Sequence, residues 1–135
     1  MSHELVTVVN DTYINAESVC DLLWCFAPLA LETSVTLVLD NARYQHCALV
    51  QELADLLQIE LLFLPAYSPN LNLIERLWKF VKKQCLYSHY YPDFEAMKAA
   101  IMQCLTQTDT VHKEKLDSLL TLRFQTFKNI ASIAV

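Results

Sequence analysis

Two short apolar runs, Val35-Thr36-Leu37-Val38-Leu39 and Ile59-Glu60-Leu61-Leu62-Phe63-Leu64, stand one helix length apart. Continuous runs rich in β-branched and aliphatic residues suit strands buried on both faces. Between them, Leu49, Val50, Leu53, Ala54, Leu56 and Leu57 fall on one side of a helix. A strand, a crossover helix and a second strand imply a parallel pair, with helices covering both faces of the sheet.

The flanking segments extend this pattern. Upstream, Glu4 to Val9 is β-rich, Asn10-Asp11 is a turn signal, and Thr12-Tyr13-Ile14 reads as a second short strand. Asn15 suits the N-cap of a helix bearing Val19, Leu22, Leu23, Phe26 and Ala30. Downstream, Pro65 stops the second run and Ala66 to Asn70 forms a polar loop. A helix is expected from about Leu71 to Cys85, another after an Asp93 cap, and a last one over His112 to Phe124, continuing toward the end. The expected order is β-β-α-β-α-β-α-α-α in a single domain, residues 1–135.

Composition narrows the function classes. At 135 residues and 54% hydrophobic, the chain can build one packed core. No apolar run approaches the roughly 20 residues that span a bilayer, and no basic segment precedes an apolar start. A cytoplasmic protein is expected. Five cysteines without CxxC spacing argue against a disulfide framework or a zinc site and for reduced, mostly buried thiols. Glycine is absent, which removes the P-loop and the dinucleotide fingerprint. Any phosphate chemistry must therefore come from side chains or metal.

Two carboxylates stand where such chemistry would lie. Asp40 closes the first run, and Glu75 falls in the first turns of the helix after the second. Ligands of open α/β sheets bind beyond the carboxyl ends of the parallel strands. Oxygen ligands there suit Mg²⁺ or Mn²⁺, and paired ions serve in-line phosphoryl displacement. On spacing alone the structural alternative stays open: Asp40-Asn41 as a turn, and Asn72 with Glu75 as a capping box.

The stretch Leu37-Val38-Leu39-Asp40-Asn41-Ala42-Arg43-Tyr44 and the later Leu64-Pro65-Ala66-Tyr67-Ser68-Pro69-Asn70-Leu71-Asn72-Leu73-Ile74-Glu75-Arg76-Leu77-Trp78-Lys79 carry a resemblance. Together they resemble the DDE transposases of bacterial insertion sequences related to the mariner superfamily, over roughly residues 4–105. The two acids are separated by 34 residues, a spacing typical of that superfamily. The resemblance implies a ribonuclease-H-like α/β fold, a mixed sheet flanked by helices. It also implies DNA as partner, cleavage at element ends, and joining of 3′ ends to a target with two Mg²⁺ or Mn²⁺ ions. Asp40 would be the second metal ligand and Glu75 the third.

The sequence departs from that pattern in places. Gln45 stands where the family has histidine. His46 follows one place later, and a one-residue helical shift turns a side chain by about 100°. Ala66, Asn70 and Leu73 stand where the family often has Pro, Asp and Pro. The usual first, central strand with its Asp has no counterpart, so the domain reads as N-terminally truncated, with a helical extension over 106–135. Two metals are then expected only if a third carboxylate is supplied, by an upstream transposase segment or a second copy in a homodimer. The alternative to an enzyme is a catalytically inactive dimerisation or regulatory module.

Glu75, Lys79, Lys82 and Lys83 share one helical face, with Arg76 beside them. That row suits a DNA backbone approaching the acids, or else a solvated face with a Glu75–Lys79 pair. Arg43 is a further DNA-contact candidate, beside Tyr44. Leu77, Trp78 and Val81 are expected in the core, and Tyr87, Tyr90 and Tyr91 are expected to cover it.

Overall fold

A computed structural model describes residues 4–124. Its elements are α1 (Ala16–Glu32), β1 (Val35–Leu39), α2 (Ala48–Leu56), β2 (Ile59–Phe63), α3 (Leu73–Cys85), α4 (Phe94–Thr106) and α5 (Lys113–Leu119), with short 3₁₀ turns at Arg43–Gln45 and Pro69–Leu71. Among the described residues the fold is α/β: five α-helices and a two-stranded parallel sheet. The expected parallel pair is present, in register from Val35 opposite Ile59 to Leu39 opposite Phe63.

The helix starts follow their caps. Asn15 Oδ1 accepts from Ser18 N at 3.1 Å, and Ser18 Oγ in turn accepts from the Asn15 backbone N–H. Asp93 accepts from Ala96 N at 2.8 Å and opens α4. Two apolar clusters result. Val19, Leu23, Val35, Val50, Ala54 and Ile59 join α1 and α2 to the sheet. Leu77, Phe80, Val81, Cys85, Cys104 and Leu116 join α3, α4 and α5.

Three expectations fail, each for a physical reason. The upstream hairpin is not formed: residues 4–15 contain no strand, and they do not pair with β1. Local side-chain bonds compete with a ladder there. Asn10 Oδ1 accepts from Thr12 N at 3.2 Å, its Nδ2 donates to Ser18 Oγ at 3.0 Å, and Asp11 pairs with Lys98 of α4. The sheet is also covered on one face only by the described residues. Both α1 and α2 pack on the Val35/Ile59 side, while α3 turns to α4 and α5. Val38 and Leu62 consequently stand about half exposed, and Thr36 Oγ1 donates to Glu60 on that open face at 2.7 Å. Finally, α5 stops at Leu119. The Arg76 guanidinium donates to the carbonyls of Leu119, Thr121 and Arg123, which holds the following segment in a non-helical path. The expected continuation of this helix beyond Phe124 lies outside the described residues.

With no glycine in the chain, two of the described helices are followed by other residues in the left-handed region. Gln58 (φ 57°) follows α2 and Ser88 (φ 63°) follows α3.

Candidate active site at the carboxyl edge of the parallel pair

The end of β1 and the start of α3 meet. The ladder runs one step past the strands, with Leu64 N donating to Leu39 O at 2.9 Å. Asp40 leaves β1 directly after this bond. Beyond Leu64, Pro65 ends the second strand's path, and the chain turns through residues 66–71 into α3. Asp40, Asn41, Ala42, Ala66, Tyr67, Ser68 and Glu75 line one open cleft of about 370 Å³. The two carboxylates singled out from the sequence are thus brought to the same concavity.

Asn72 connects them. Its Nδ2 donates to Asp40 Oδ1 at 2.6 Å, and its Oδ1 accepts from Ile74 N at 2.9 Å. One amide therefore ties the β1 terminus to the first turn of α3, where Glu75 sits half-buried. The capping-box alternative for Glu75 is not realised among the described residues, since the Asn72 side chain caps Ile74 instead. No side-chain hydrogen bond or ion pair among the described residues engages the Glu75 carboxylate, so the Glu75–Lys79 pair is not formed there.

The neighbouring 3₁₀ turn is fixed by Gln45, whose Oε1 accepts from Ala42 N at 3.2 Å. His46 then reaches back: its Nε2 donates to Asn41 Oδ1, and its ring stacks on Phe63 with centroids 3.8 Å apart. A 3₁₀ turn in place of an α-helix changes the angular step, which brings His46 beside Asp40's neighbour after all. Arg43 projects from the same turn and is exposed.

Lys79, Lys82 and Lys83 are exposed along α3. Arg76 is not on that row: it is half-buried, turned to the three carbonyls after α5, and lies 5.3 Å from the Phe124 ring. Leu77 and Val81 are buried as expected, but Trp78 is 43% exposed. It borders an apolar groove of about 460 Å³ between residues 5–10, the end of β1, α3 and α4. Of the three tyrosines expected to cover the core, Tyr91 does so, donating its hydroxyl to Cys85 O; Tyr87 and Tyr90 are exposed. All five thiols are free, with Cys85 and Cys104 buried, Cys20 and Cys47 half-buried and Cys25 exposed.

The family model for the DDE superfamily endonuclease matches residues 1–98, a span that holds the whole cleft. The chain belongs to the DDE superfamily endonuclease family. No curated protein and no solved structure matches it. A DDE superfamily endonuclease acts on DNA, and such nucleases generally use divalent metals. The donor set of the cleft fits that chemistry in part. Two carboxylates with hydroxyl and amide oxygens nearby suit one Mg²⁺ or Mn²⁺ that keeps several waters. No group of three or more His, Cys, Asp or Glu suited to a metal occurs among the described residues, so a second ion lacks ligands there. No described helix is long and apolar enough to cross a membrane.

From the sequence, Asn72 reads as a cap alone. Its second role needs Asp40 within reach across 32 positions, which no local pattern reveals.

Proposed function

We propose that this chain is part of a cytoplasmic, metal-dependent DDE transposase of the bacterial, mariner-related kind, acting on DNA ends by phosphoryl transfer. In this reading it forms one ribonuclease-H-like catalytic domain, and Asp40 and Glu75 are its metal ligands. The observation that carries the reading is the shared cleft of Asp40 and Glu75 at the carboxyl edge of the parallel strands.

A divalent ion held there would neutralise charge on a phosphate and promote attack by an oxygen nucleophile. The chain's own residues supply the rest. Asn72 positions Asp40, His46 steadies Asn41, and Lys79, Lys82, Lys83 and Arg43 hold the DNA backbone without reading its sequence. Arg76 serves the backbone path after α5 instead of the DNA.

One observation favours a second reading, a non-catalytic dimerising or regulatory module. No third acid joins Asp40 and Glu75 among the described residues, and β1 pairs on one edge only. An added strand, from an upstream transposase segment or a second copy, would pair with that free edge and could bring the missing carboxylate.

Mn²⁺ titration followed by electron paramagnetic resonance, with D40N and E75Q beside the wild type, tests the site. Binding lost in both variants with unchanged circular dichroism supports it; equal binding in all three removes it. Nicking of supercoiled DNA that vanishes in D40N supports the enzyme, whereas metal binding without nicking favours the module.

A further inference from the structure

One residue of the cleft wall is an aromatic side chain that packs on nothing. Tyr67 has φ 58°, a region that a bulky side chain disfavours. Gln58 and Ser88, which share this geometry, each end a helix. Tyr67 instead sits in the turn at residues 66–67, between Pro65 and the short 3₁₀ turn, where a positive φ usually takes Gly or Asn. Tyr67 is fully exposed, so the ring gains nothing from packing. Nor does the backbone need an aromatic residue there, because asparagine tolerates the left-handed region far better. Disfavoured backbone held in place by its surroundings clusters at ligand sites.

The position supplies the ligand's chemistry. Tyr67 lines the cleft together with Asp40, Ser68 and Glu75. A free aromatic face beside a site for DNA phosphates suits a base, because every base offers a π face. Bases inside a duplex already stack on one another, so only an unpaired or extruded base is available to it.

We propose that Tyr67 is a base-stacking residue, receiving an unpaired nucleobase of the strand whose phosphate enters the Asp40–Glu75 cleft. The inference rests on the DNA reading of that cleft and adds which part of the substrate the loop holds.

Binding of a short, mixed-sequence single strand to the full 135-residue chain at low salt, followed by fluorescence anisotropy, tests it. Tyr67→Asn removes the ring and keeps a residue suited to the backbone, while Tyr67→Phe keeps the ring. Y67N is expected to weaken binding by about 5- to 150-fold, the range of one base stack, with its dependence on salt unchanged because no phosphate contact is lost. Y67F is expected to bind like the wild type, and the melting temperature of Y67N is not expected to fall. A K82A/K83A double variant should instead flatten the salt dependence. Y67N binding as tightly as a wild type that does bind would overturn the stacking role alone. Y67N melting well below wild type would also overturn it, by placing the ring in the fold. A wild type with no affinity for the strand at low salt would overturn the DNA reading, and this inference with it.

Discussion

Asn72 Nδ2 donates to Asp40 Oδ1 at 2.6 Å while Asn72 Oδ1 caps α3 through Ile74 N at 2.9 Å. The two bonds separate by substitution. Asn72→Asp keeps the cap, since Asp caps as well as Asn, but sets a second carboxylate against Asp40. Asn72→Ala loses both bonds, at a cost of about 1 kcal/mol. Denaturant unfolding at several salt concentrations should find an N72D deficit that shrinks as salt or Mn²⁺ is added, because the repulsion is screened or bridged. The N72A deficit should stay constant. Equal salt response in both variants would leave Asn72 a cap and nothing more.

The Glu75 carboxylate has no partner among the described residues, so its removal should cost the fold little. Glu75→Gln is expected to lose no more than the roughly 0.3–1 kcal/mol that a carboxylate contributes in a first helical turn. Mn²⁺ affinity should fall to background at the same time. Thermal melts and metal titration on one preparation read both quantities. A large stability loss with unchanged affinity would assign Glu75 to the helix instead of the metal.

Much of this arrangement was legible from local signals. Asn15 and Asp93 announce their helices through side chains that reach only three residues, and the parallel pair follows from two apolar runs spaced by a helix. The placement of Asp40 and Glu75 in one cleft follows from that pair. What escaped the sequence depends on distant partners. Val38 and Leu62 look like residues buried on a second face, yet among the described residues they stay about half exposed. The upstream β-rich segment fails to pair because Asn10 and Asp11 bond to α1 and α4 instead. Arg76 reads as one more cation beside three lysines, and only the fold shows the carbonyls over 40 positions away that it satisfies.

Arg76 donates to Thr121 O at 2.8 Å, Arg123 O at 3.0 Å and Leu119 O at 3.3 Å. Its planar fork is suited to several acceptors at once, as a lysine is not. Arg76→Ala should destabilise the chain by about 1–3 kcal/mol, and Arg76→Lys should recover only a minor part. Chymotrypsin cleavage after Leu122 and Phe124 should accelerate in both variants. Weaker DNA binding with unchanged proteolysis would return Arg76 to the DNA face.

Cys104 and Cys85 face each other between α4 and α3, both buried. Burial first, then the neighbouring Cys85, pushes the Cys104 thiol from 9.0 up to about 11. Between those values the unfolded chain releases this proton while the folded chain retains it. The stabilisation from Cys104 is therefore complete below pH 9 and is lost as pH rises toward 11. Urea unfolding across that window should show falling stability with a slope that flattens in Cys104→Ala, even though the variant starts lower because its core has lost volume. Thiol labelling at pH 8 gives an independent reading: exposed Cys25 should react first, and Cys85 and Cys104 only on unfolding. Labelling of Cys104 at the rate of Cys25 would mean that α3 and α4 separate readily, and the raised thiol would then carry no stability.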